Sequence, residues 1–189
     1  MKKMVSVLAC ALSFSALADW SVDSQNSSLS FVSVKNELVA ETHHFKQLQG
    51  SLSDAGELKV SIPVSGIETN IPLRNERILQ YTLLSKDFAA ITATAKVDMT
   101  KVSALKVGQV LTVQQPLDLT LLAQSQTLST SLQVVKLSDK QLLVYTTAPV
   151  VLDLTKFKLD AGIEKLRELA GLKVISPLVP VSFSVSLTQ

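Results

Sequence analysis

Cysteine occurs once in the 189-residue chain, at Cys10, inside the apolar run "MVSVLACALSFSAL". From residue 19 onward there is none, so that part can carry neither a disulfide nor a thiol nucleophile. Histidine is almost as scarce. His43 and His44 are neighbours, and neighbours in an extended chain point to opposite sides. They cannot readily share a metal ion and no cysteine completes a ligand set, so two loop or rim histidines are the simpler reading and no metal site is expected. There is no Ser in a Gly-x-Ser-x-Gly setting and no Gly-rich phosphate loop. Asp87, Asp98, Asp118 and Asp153 are isolated, each most simply a solvated group or a turn former. No catalytic residue and no cofactor is assigned.

Charge of one sign is also lacking. The chain has 18 basic and 16 acidic residues, and two of the basic ones, Lys2 and Lys3, precede the apolar run. The remainder is balanced and has no basic tract, a poor match to nucleic acid or to an anionic membrane surface. Aromatics are 5% of the chain, with one Trp, whereas an integral outer-membrane barrel needs aromatic girdles and an apolar outer face. The apolar run near the start is shorter than the ~20 residues of a spanning helix. With "MKK" before it and "ALA" (Ala16, Leu17, Ala18) after it, the run reads as a signal peptide cleaved after Ala18. A lipoprotein reading of "VLAC" has Val7 where Leu is usual. The expectation is a 1–18 signal peptide and a single 19–189 domain, periplasmic or secreted.

What the chain does have is period-2 alternation. Leu58, Val60, Ile62 and Val64 share one face of "LKVSIPV". Leu117, Leu119 and Leu121 oppose Asp118 and Thr120. Leu128, Leu132 and Val134 share a face with Thr130, and Val181, Phe183, Val185 and Leu187 oppose serines and a threonine. "QLLVYTT", "LSFVSVK", "ATAKVDM" and "GQVLTVQ" read similarly, with turn signals at "SDAGE", "KVGQ" and "LSDKQ". About eight strands with one apolar and one polar face predict an all-β, antiparallel, lipocalin-like barrel lined by the apolar phase. Pro63 suggests an edge or a bulge.

Two segments break the alternation and predict short helices. "DAGIEKLRELAG" places Ile163, Leu166, Leu169 and Ala170 on one side, with Asp160 able to cap its start and Gly171 its end. "SGIETNIPLRNERILQ" carries Arg74 and Arg77 three apart, and from Leu73 to about Leu83 it has apolar groups on two sides, as a cover over a barrel mouth would. For Thr69, Arg74 and Arg77 two readings stand. They hold a ligand's polar end at the rim, or they pair with acids such as Glu68, Glu76 or Asp87 and fix the insert in place.

The opening "WSVDSQNSSLSF" (Trp20 to Phe31), the "GSL" step at Gly50, Thr69 followed by "RNERIL", "KDF" with Asp87 and Phe88, and the closing "VPVSFSVSL" together resemble the YceI-like family. Asn75 stands where that family usually has Asp, and Arg77 where it often has His. The resemblance implies a lipocalin-like barrel holding a long polyisoprenoid, such as a quinone tail, without catalysis. With the apolar strand phase, it nominates Phe31, Val60, Ile62, Leu119, Leu132 and Phe183 as lining. An enzyme acting on a lipid inside the barrel is one alternative, and would need a buried acid–base pair in the cavity. An interaction module whose barrel is filled with side chains is the other.

Overall fold

The computed structural model describes residues 19–189; the expected signal peptide and its cleavage site lie outside the described residues. Eleven strands form one sheet: β1 (Trp20–Lys35), β2 (Val39–Phe45), β3 (Gln49–Leu52), β4 (Glu57–Pro63), β5 (Ile67–Glu68), β6 (Ala90–Lys96), β7 (Val110–Leu121), β8 (Gln124–Ser138), β9 (Gln141–Thr146), β10 (Val150–Asp153) and β11 (Leu178–Thr188). Every pairing is antiparallel, and β1 pairs with β11 to close the sheet on itself.

The closed ring has eight staves, because three of them are each made of two collinear strands. β3 and then β2 pair with successive parts of β1, and β9 and then β10 with successive parts of β11. β5 prolongs β4 in the same way, pairing with β2 while β4 pairs with β3. Proline marks two of the breaks. Pro63 ends β4 and leads into a 3-10 turn, Val64–Gly66, and Pro149 lies between β9 and β10. β1 itself changes register between Asp23 and Ser28. There the Ser24 hydroxyl accepts from the Leu48 N–H, at the break between β2 and β3.

The eight segments expected as strands fall on only seven staves, since "GQVLTVQ" and "LDLTLLA" are halves of β7. The eighth is β2–β3, whose "VAETHHF" mixes charge into its inward phase. "ATAKVDM" is not all strand. β6 stops at Lys96, and the Asp98 carboxylate then accepts from the N–H groups of Thr100 (3.1 Å) and Lys101 (3.4 Å), capping a helix that was not expected, α2 (Met99–Ser103). The other two helices are where they were predicted. α1 (Pro72–Arg77) starts on a proline, whose missing N–H costs nothing at that position, and widens into a π turn, Ile78–Thr82. α3 (Asp160–Ala170) ends on Gly171 at φ 63° as expected, but Asp160 is not its cap. The capping position is Leu159, reached from the 3-10 turn Leu154–Phe157 through left-handed Lys158.

α3 lies against the π turn. A Cβ on Gly162 would stand 2.4 Å from the Tyr81 carbonyl oxygen, so only glycine permits this approach. Two apolar clusters follow. Val64, Ile67, Leu83, Leu121, Phe157 and Leu159 pack beneath α1 and α3, and Trp20, Leu52, Val102, Leu142 and Leu187 pack around α2 at the other end.

Candidate functional site

Between the two clusters lies a cavity of about 820 Å³. Its wall comes from alternate residues of the staves, the pleat sending every second side chain inward. Leu58, Val60 and Ile62 of β4 contribute, as do Leu128, Leu132 and Val134 of β8 and Val181, Phe183 and Val185 of β11. Phe31, Val60, Ile62, Leu119, Leu132 and Phe183, the six residues named from the sequence, all face it. Phe31 is wedged beside Phe45, ring centroids 5.7 Å apart, on the neighbouring strand. Thr130 shares the inward phase of β8 but is 1% exposed, its hydroxyl donating to the Gln115 carbonyl at 2.7 Å.

The wall is nearly free of polar groups within. The uncharged polar residues on it are Thr112, Gln114 and Gln115 of β7 and Thr82 of the π turn, which is 6% exposed and whose hydroxyl has no hydrogen-bond partner among the described residues. Thr82 was not among the residues named from the sequence, and its only signal was its place at the end of the irregular insert. Among the described residues, three ionisable side chains touch the cavity, Lys96, Asp98 and Lys101, all exposed and all at the β6–α2 corner.

Thr69, Arg74 and Arg77 do not line the cavity; they fasten α1 over its far end. Asn75 Oδ1 accepts from the Thr69 N–H (2.9 Å) and from its hydroxyl (2.6 Å). Arg74 Nη1 meets Glu41 Oε2 at 2.9 Å, and Nη2 donates to the Thr69 carbonyl. Arg77 Nη1 donates to the Leu169 carbonyl at 3.1 Å, tying α1 to the end of α3. None of the acids expected as partners is used by either arginine. Glu68 instead takes Lys46 at 2.7 Å and the Asn75 amide at 3.0 Å, and Asp87 and Glu76 stay out of the network. The true partner, Glu41, lies on β2, the stave whose strand character was not legible.

Electrostatics at this end follow from those contacts. Lys46, then Asn75 and the Asn70 N–H, hold Glu68 down to about pKa 2. Lys35, at 2.7 Å, and then Arg74 lower Glu41. His43 is 3% exposed in β2, not in a loop or at a rim; its ring meets Ser33 Oγ at 2.9 Å and lies 5.2 Å from Phe31. Burial, and then the Arg74 charge, push its pKa down, favouring the neutral ring. His44 points outward.

The family model for the YceI-like domain matches residues 20–187. The chain belongs to the YceI-like family. A solved polyisoprenoid-binding domain from Saccharophagus degradans, implicated in plant cell wall breakdown, is 36% identical. That likeness covers 89% of this chain and 97% of the other, with a TM-score of 0.87. BcnA of Burkholderia cenocepacia, at 16% identity over 87% of this chain and 98% of its own, has a TM-score of 0.65 and shares the fold. No curated protein matches the chain. Within this YceI-like barrel, the Asn75 hydrogen bonds to Thr69 hold the start of α1.

Proposed function

We propose that this YceI-like protein binds a polyisoprenoid or a similar long apolar lipid inside its barrel and holds it without chemistry. The observation that carries this reading is the apolar cavity of about 820 Å³, at the upper part of the range usual for ligand sites. The 36%-identical polyisoprenoid-binding domain supports it. Each CH₂-sized group buried contributes ~0.8 kcal/mol, so ten well-packed carbons bring roughly 8 kcal/mol gross, and ordering a flexible tail offsets much of that. A side-chain-filled barrel would have no such void. Binding without catalysis is supported by the placement of the three ionisable wall residues at an exposed corner rather than inside.

Export to the periplasm or the medium, after cleavage following Ala18, belongs to the same proposal and rests on the sequence. Among the described residues no helix is long and apolar enough to cross a membrane. The outward phase of β7, with Thr112, Gln114 and Asp118 exposed, is polar where a membrane barrel would be apolar.

Native mass spectrometry of protein purified gently from its own host tests the reading. The expected result is a co-purified isoprenoid lipid that disappears in folded Ile62→Glu or Leu119→Glu. Unchanged lipid content in such a variant would overturn it.

A further inference from the structure

Two seams of the barrel wall are not closed by pairing: β10 joins β11 but not β8, whose Gln124–Thr130 half pairs with β7 alone, and β6 joins only part of β7. Charged side chains touch the cavity at the second of these. β6 meets β7 only through Thr92–Thr120, Ala93–Leu119 and Thr94–Asp118, although β7 runs on to Val110 and pairs with β8 throughout. The cause is in the sequence. β7 and β8 join through Leu122 and Ala123, both at positive φ, a two-residue hairpin turn whose flanking pair Leu121–Gln124 is the hydrogen-bonded kind. Hydrogen-bonded and non-hydrogen-bonded pairs alternate from there, so Pro116–Ser129 is non-hydrogen-bonded with respect to β8. The N–H that Pro116 lacks is therefore the one that would point at β6.

By the same register, Lys96 would be the residue opposite Pro116. With no N–H to accept there, the Lys96 carbonyl takes the Gln115 side-chain amide instead, at 3.1 Å. The ladder stops, and β6 turns away into α2. The cavity wall records the hole: other staves contribute alternate residues, but β7 contributes Leu111 through Leu117 without a gap, both faces of the strand at once. Lys96, Asp98 and Lys101, which among the described residues are the ionisable side chains that touch the cavity, stand at this seam. The opposite end carries none, only the hydroxyl of Thr82 and the cover described above.

The geometry points to the β6–β7 seam as the doorway of the site and as the seat of the ligand's polar end. This inference rests on the lipid-binding reading and says how such a lipid lies. A hydrogen-bond-accepting head sits at the seam among Gln115, Lys96 and Lys101, and the tail runs inward toward the α1–α3 end. Arg74 and Arg77 then have no part in recognising the head.

Residues 19–189 contain no cysteine, so single-cysteine variants report where a reactive head lies. Residues 64% and 54% exposed respectively, the Lys101 side chain at the seam and Leu73 on the cover, tolerate Lys101→Cys and Leu73→Cys. Each variant, without residues 1–18, is treated with a farnesyl chloroacetamide and, separately, with a chain-free chloroacetamide. The farnesyl reagent is expected to modify Lys101→Cys at least tenfold faster than the chain-free one, with excess farnesol suppressing the gain, and to give no gain at Leu73→Cys. Acceleration at Leu73→Cys, or equal acceleration at both, would overturn the doorway and leave lipid binding standing. No acceleration at either, while native mass spectrometry shows farnesol bound, would also overturn it. No acceleration and no bound farnesol would refute the lipid-binding reading itself, and the doorway with it.

Discussion

The two ends of the barrel are closed by different physics. At the α1 end, polar and charged groups from distant parts of the chain converge. Glu41 of β2, Arg74 of α1, the carbonyls of Thr69 and Leu169, and the Asn75–Thr69 pair fasten a cover whose closest approach depends on Gly162. At the α2 end the closure is a short plug, with Val102 buried among Trp20, Leu52, Leu142 and Leu187, and beside it the wall is left unpaired. One cavity thus has a fastened cover at one end and, on the doorway proposal, an unpaired corner through which a ligand would pass at the other.

Gly162→Ala tests the tight end most severely. The new methyl would meet the Tyr81 carbonyl at 2.4 Å, with backbone on both sides and no flexible side chain to yield. A loss of about 2–3 kcal/mol is expected in urea unfolding, the range of overpacked interiors. A loss below about 0.5 kcal/mol would mean that α3 and the π turn are not held together.

Arg74→Ala comes next. The guanidinium is only partly exposed, and its removal strips Glu41 of one of two cations and leaves the Thr69 carbonyl without its donor. About 1–2 kcal/mol should be lost. At the open end, Lys101→Ala removes an exposed pair with Asp98 and should change stability by less than about 0.5 kcal/mol. Equal losses from the two substitutions would erase the distinction between the ends.

Thr82→Val should go the other way. The isosteric change removes a buried hydroxyl that has no partner, so the ligand-free protein should gain up to about 1 kcal/mol in thermal unfolding. A clear loss would reveal a hydrogen bond to a water or a lipid in the cavity.

The smallest effect is in the pH dependence. Glu68 has a folded pKa of about 2 against an ordinary 4.5, so the unfolded chain binds the proton more readily between those values. Its contribution is present above about pH 4.5 and is lost as pH falls toward 2. Glu68→Gln should flatten the stability profile in that window, approach the unsubstituted protein near pH 2 and lie below it, with the same slope, at pH 7 to 8. An identical acid slope in the variant would show that Glu68 does not fasten the cover.

The cavity was legible in the sequence because alternation writes inward and outward residues separately, and at Ile62 or Leu132 nothing competes with that pattern. The β2 stave was not legible, because Glu41 and His43 occupy inward positions that alternation expects to be apolar. They are there to meet Arg74 and Ser33, partners that only the closed barrel brings near. α2 was hidden for a local reason: five residues are too few to show a helical period, and the cap at Asp98 was its one signal. Pro116 was in plain view, but its meaning depends on the parity of the β7–β8 ladder, which is set by the turn at Leu122 and Ala123.

The pairing of β1 with β11 also constrains the order of events in the protein's life. Ser21 lies opposite Thr188, so the first stave waits for the eleventh strand before the ring can shut. Until β11 is in place there is no enclosed interior to fill, only a curled sheet with two unsatisfied edges. On the lipid-binding reading, the ligand is therefore admitted to a ring that β11 has already shut, and is not wrapped by earlier strands alone.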